Sequence, residues 1–246
     1  FEYLFIALGM GKVQVKGLEH THSICGKPEE SVVIKDLLEN LITKGEGHIA
    51  VGFGGNPKDP KGMTVRGGPA FELLFNISVL LKEKGLRDRI RLTFFAPMAE
   101  PGKRMGDKAL GKMGSFFKHY HTETHFGKKI KMFTDTGITF EDDSTIPSDL
   151  TLFISGGDGL QLIKDSDLPL NETGFVKIDE GCGVEGFTHI YAIGDAAAIV
   201  ELPWAAKQGH VAEVMADVAT YNFNNTITGK ESRKSYHDSL HIICVM

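Results

Sequence analysis

The run Ile190-Tyr191-Ala192-Ile193-Gly194-Asp195, followed by Ala196-Ala197-Ala198, limits the fold more than any other stretch of this chain. A short apolar run that stops at Gly-Asp reads as an interior parallel strand, and open α/β sheets bind ligands at the carboxyl ends of such strands. Gly194 lets a backbone or ligand approach closely, and Asp195 offers two acceptor oxygens to a hydroxyl-bearing partner such as a ribitol or ribose. A solvated turn after a strand would look the same, so the surrounding segments must decide.

Those segments alternate between strands and helices. Strands are expected at Tyr3–Ala7, His48–Val51, Ile90–Phe95, Ile130–Phe133, Gly137–Phe140, Leu150–Ser155 and Phe175–Ile178, with Lys12–Lys27 irregular. A helix is expected from Pro28 to Gly45 with Val33, Leu37, Leu38, Leu41 and Ile42 inward, and another over Pro69–Lys84. Two more are expected: Asp107–His121 with Leu110, Met113, Phe116 and Phe117 inward, and Pro203 to about Tyr221. Alternation of this kind argues for an α/β fold. The 246 residues, 41% hydrophobic, suffice for one large or two smaller cores. A net charge of −5 gives no basic field and argues against nucleic acid as a partner. No apolar run approaches the ~20 residues that span a bilayer. Cys25, Cys182 and Cys244 are widely separated, which argues against a disulfide framework or a structural zinc site. Phe1–Gly9 reads as a buried strand with nothing before it, and Leu240–Met246 as an apolar run without a cap. The expectation is an internal piece of a longer protein.

Four groups of residues could carry chemistry. Gly52-Phe53-Gly54-Gly55 is the first half of a dinucleotide fingerprint, but Asn56–Arg66 intervenes before Gly67-Gly68-Pro69 opens the helix. Phe95 is followed by Ala96-Pro97, with no acidic residue to hold a ribose, so the signal for NAD is weak. Glu72, one turn into that helix, suits either dipole compensation or proton handling beside a cofactor. Cys25 lies just before a helix start, where the dipole favours negative charge on sulfur, although a buried inert thiol fits equally. Lys207, near the start of the last long helix, could stabilise negative charge on a reduced isoalloxazine ring or be a surface lysine. His119, His121 and His125 lie on different sides of a helix end, and no metal site is expected from them.

Taken in order, "YLFIALG", "GFVKID", "IYAIGD" and "LPWAAKQG" resemble the two-dinucleotide-domain flavoproteins, in the branch of sulfide:quinone oxidoreductase, flavocytochrome c sulfide dehydrogenase and type II NADH dehydrogenase. Within it, "SICGKPEE" and "RGGPAFELLFNISVLL" followed by "IRLTFFAPMAEPGKRMG" look most like sulfide:quinone oxidoreductase. The resemblance implies a Rossmann-like dinucleotide-binding domain, three-layered with a parallel sheet and a small β-meander, joined to a partial FAD-binding domain. It divides the chain into residues 1–27 and 150–224 of the FAD domain, 28–149 of the second domain and 225–246 of a C-terminal region. Gly9, Gly194, Asp195, Pro203 and Lys207 would contact FAD, and Cys25, Glu72 and Lys207 would serve catalysis. Arg66 and Ala196 stand where the family carries cysteines, which implies loss of the two-cysteine sulfur relay. The implied activity passes electrons from sulfide or NADH through flavin to a quinone. The protein would then sit peripherally on a membrane, with a homo-oligomer left open. A type II NADH:quinone oxidoreductase and a non-catalytic nucleotide-binding module are the competing readings.

Overall fold

The computed structural model describes residues 1–59, 62–199, 202 and 206–241. In chain order its elements are β1 (Leu4–Ile6), β2 (Gly11–Lys12), α1 (Pro28–Lys44), β3 (Gly47–Phe53), α2 (Gly68–Glu83) and β4 (Ile90–Ala96). Then come α3 (Asp107–His119), β5 (Glu123–Phe126), β6 (Ile130–Thr134), β7 (Gly137–Phe140), β8 (Thr145–Pro147) and β9 (Leu150–Ile154). The last are β10 (Gly157–Asp158), α4 (Gln161–Lys164), β11 (Val176–Lys177), β12 (Ile190–Ala192), β13 (Ala197–Ala198) and α5 (Gly209–Ile227). The chain divides into two compact units: residues 1–13, 55–65 and 156–244 form the first, and residues 14–54, 66–155 and 245–246 the second.

The second unit is built on a four-stranded sheet of order β5-β4-β3-β9, parallel throughout. Both faces of β3 are buried, as a parallel strand inside such a sheet requires. On one face Phe53 and Phe94 meet Phe71 of α2 and Phe117 of α3 in an aromatic layer, the Phe71 and Phe94 rings stacking at 4.7 Å. On the other, Ala50, Phe95 and Phe153 pack against Phe133, Ile138, Phe140 and Ile146 of the antiparallel meander β6-β7-β8. Helices, parallel sheet and meander make the three expected layers. Gly52 is required where β3 passes β4, because a Cβ there would lie 2.4 Å from the Phe95 carbonyl oxygen.

Several expectations need correction. Val33 is exposed and Ile34 is the buried residue of its turn, while Leu37, Leu38, Leu41 and Ile42 lie on the covered side of α1 as expected. Phe116 is 40% exposed, because only Met113 and Phe117 of α3 reach the core. β9 hydrogen-bonds in register with β3 and so belongs to the second unit, which moves the boundary expected at 149 to after Ser155. Lys12, the first residue of the stretch read as irregular, forms a two-residue strand with Gly11.

In the first unit β1 and β12 pair in parallel, β11 and β13 pair in parallel, and β2 and β10 antiparallel. Ile6, Val176, Ile178, Ile190, Ala192 and Ala197 form its core with Val211, Met215, Val218 and Ala219 of α5. Cys182 is buried in this core, and burial pushes its thiol up to about 12. Among the described residues no helix is long and apolar enough to cross a membrane.

Candidate functional site

In the first unit the chain leaves β1 through Ala7 and Gly9, and leaves β12 through Ile193 and Gly194. Parallel pairing puts both exits at the same end, Ile6 opposite Ala192. A cleft of about 240 Å³ opens there, lined by Ala7, Gly9, Ile193, Gly194, Asp195, Gln208, Gly209 and Ala212. Gly194 has φ 64°, and a Cβ on it would lie 3.1 Å from that of Ala212, so glycine is what lets the turn fit under α5. Gly9, at φ 73°, has open space where a side chain would be.

Asp195 sits in a single 3₁₀ turn, Gly194–Ala196, and is half-buried. Among the described residues its carboxylate accepts no hydrogen bond. The opposite wall is the N-terminus of α5, whose N-cap, Gln208, is extended at φ −136°. Helix N-termini present unpaired N–H groups and the positive end of the dipole, so the cleft combines an acceptor-rich side with a donor-rich one.

Lys207 lies behind this turn, before the helix. Its Nζ donates to the Asp195 carbonyl at 2.7 Å and the Ala197 carbonyl at 2.5 Å, and lies 4.1 Å from the centroid of the Phe175 ring. Burial pulls the ammonium down to about 8, with Asp195 and Asp59 opposing the shift. The helix expected from Pro203 begins at Gly209, so Lys207 caps carbonyls of the 195–197 turn instead of standing in a helical first turn. Pro203, with Trp204 and Ala205, lies outside the described residues. Lys207 also lines a second cavity of the same unit, about 510 Å³, together with Thr64, Thr173, Phe175 and Ala198.

The structure thus gathers Gly9, Gly194 and Asp195 at one cleft with Lys207 beneath it. Cys25 and Glu72 belong to the second unit. Cys25 is half-buried, its N–H donating to Ser23 Oγ at 3.3 Å, and Glu72 is exposed on α2. Gln208, Gly209 and Ala212 were not singled out in the sequence; their signal would have been a helix start placed at Gly209. Residues 55–65, between β3 and α2, fold with the first unit: Asn56 Nδ2 donates to the Gly157 carbonyl, and Asp59 accepts from the Thr64 N–H and Oγ. No tight turn joins β3 to α2, which accounts for the broken dinucleotide fingerprint.

A parallel-stranded α/β fold with a glycine-lined cleft at its strand ends is consistent with a dinucleotide-binding fold. The family described as pyridine nucleotide-disulphide oxidoreductase matches residues 95–216. Among solved structures the chain is similar to the sulfide:quinone oxidoreductase of Aquifex aeolicus, with TM-score 0.80 and 20% identity over 96% of this chain and 57% of that one. It is also similar to a NAD-dependent persulfide reductase from A. fulgidus, with TM-score 0.65 and 18% identity over 96% and 40% of the respective chains. A third similarity is to a chain of the mitochondrial ATP synthase of Tetrahymena thermophila, with TM-score 0.68 and 15% identity over 96% and 58%. The chain therefore spans little more than half the length of the first of these.

Proposed function

We propose that this protein is an FAD-dependent oxidoreductase that passes electrons through flavin to a quinone, most like sulfide:quinone oxidoreductase. The observation that carries the reading is the cleft at the ends of β1 and β12, where the half-buried Asp195 carboxylate faces the N-terminus of α5. Its residues fit FAD: Gly9 leaves open space where a side chain would stand, and Asp195 has acceptor capacity left for hydroxyl groups. FAD bound there would supply the two-electron chemistry.

The protein's own residues bind and orient. Asp195 accepts hydrogen bonds from hydroxyl groups, the α5 N-terminus favours negative charge opposite it, and Lys207 holds the turn that aims Asp195. Ala196 is wholly buried and carries no sulfur, so the turn supplies no cysteine to the reaction. The electron donor follows from experiment. Stopped-flow bleaching of the yellow, flavin-loaded protein by sulfide or by NADH, with reoxidation by decylubiquinone, is the expected result, and bleaching by sulfide would give the sulfide:quinone reading. Bleaching by NADH alone would give the type II NADH:quinone reading. A protein that retains no flavin, or flavin that neither donor bleaches, would overturn the proposal in favour of a non-catalytic module.

A further inference from the structure

Two histidines of the first unit stand outside the cleft and have bonding capacity left over. His210 is the second residue of α5, and His241 lies just beyond the 3₁₀ turn Tyr236–Asp238. Their rings come within 4.4 Å between centroids, tilted by 53°. His241 Nδ1 lies 3.1 Å from the Ser239 carbonyl oxygen, which only accepts, so Nδ1 carries the proton and Nε2 the lone pair. His210 Nδ1 lies 4.0 Å from Glu213 Oε2, and a carboxylate likewise draws the proton to Nδ1. That leaves His210 Nε2 with the lone pair, buried and with no hydrogen-bond partner among the described residues. A buried lone pair without a partner is costly, and a Lewis acid satisfies it.

We infer that His210 and His241 bind a divalent transition-metal ion of the zinc type through their Nε2 atoms. An imidazole whose Nδ1–H points at a carboxylate or carbonyl is prepared for this, because the outer acceptor fixes the tautomer and makes Nε2 more basic. Imidazole nitrogen suits zinc, copper and nickel, whereas magnesium and calcium take oxygen. Metal–nitrogen bonds of about 2.0–2.1 Å place two tetrahedral ligands roughly 3.3 Å apart, which rings at this separation can reach. Among the described residues no group of three or more histidine, cysteine or acidic side chains could hold a metal, so the chain supplies two ligands and water completes the set. His241 is exposed, which gives the ion a path from solvent. Bound there, the ion ties residues 236–241 to the start of α5, where Gln208 and Gly209 line the cleft. Neither histidine lines the cleft itself, so the inference stands apart from the flavin reading.

The test is calorimetric titration of zinc chloride into the full, tag-free chain after dialysis against EDTA. A single ion per chain is expected. His210→Gln and His241→Gln should each weaken binding by more than about a hundredfold, and Glu213→Gln by about tenfold. His237→Gln changes another histidine with a buried Nε2, outside the pair, and should bind zinc as the parent does. Thermal melts without metal show which variants fold; His241 is exposed, so its variant keeps the test decisive if His210→Gln does not fold. Zinc should raise the melting temperature of the parent and leave that of His241→Gln unmoved. Copper(II), as a second probe, should show two coordinating nitrogens by electron paramagnetic resonance. No zinc binding by the parent, equal affinity of parent and His241→Gln, or a loss confined to His237→Gln would overturn the inference. Flavin absorbance is read on the same samples, so a yellow protein that binds no zinc refutes the metal site and leaves the proposed function standing.

Discussion

Asp195 and Lys207 lie on opposite sides of one turn, so their substitution should separate binding from stability. Asp195→Ala is expected to lose flavin retention, read as flavin absorbance per protein, while unfolding in urea shifts by no more than about 1 kcal/mol. Lys207→Met should act through pH. Below about 8 the Lys207 amine is protonated in both the folded and unfolded chain, so the cost of burying its charge is present in full. Above that value the folded chain releases the proton and the unfolded chain keeps it, until the ordinary lysine range is reached. Stability of the parent therefore rises with pH over that window, by at most about 3 kcal/mol, and the Met variant lacks this rise. Urea melts at a series of pH values on both proteins check it; parallel curves would refute the buried-ammonium account. The sequence showed Gly194, Asp195 and Lys207 as candidates because a Gly-Asp strand end and a nearby cation are local patterns. It could not show that Lys207 binds the turn's carbonyls, since that depends on where α5 starts.

Helices and strands were legible in proportion to how deeply they are buried. β3 and β9 are buried along nearly their whole length and β4 apart from Arg91, and they read as largely apolar runs. β5, Glu-Thr-His-Phe, is an edge strand with half its side chains in solvent and has no such run, so it was missed. Pro203 looked like a first-turn proline, yet α5 starts six residues later, at Gly209. The aromatic layer between sheet and helices gives the strongest expectation at this level. Phe71→Ala removes a fully buried ring that meets Phe53, Phe94 and Phe117, and should cost about 3–5 kcal/mol in denaturant titration. Gly194→Ala forces a left-handed residue against Ala212 and should cost about 1–2 kcal/mol, with flavin retention lost alongside. Retention at the parent level would show that the cleft tolerates a moved turn.

Each unit of the molecule is assembled from separated stretches of chain. The first takes its β1 from the first residues and its β12 from near 190, with residues 55–65 between them. A polypeptide of residues 156–241 alone lacks the parallel partner of β12 and should give a poorly dispersed NMR spectrum; a well-dispersed one would show that β1 is dispensable. This interleaving explains why the domain boundary was misplaced at 149, because the pairing partner of β9 lies a hundred residues upstream and leaves no local mark. It also sets a clock on biosynthesis. β1 leaves the ribosome long before the strand that completes it, and at ordinary translation speeds it waits on the order of ten to forty seconds with Phe5 and its backbone edge uncovered. Slowing translation between β1 and β12 should therefore lower the soluble yield.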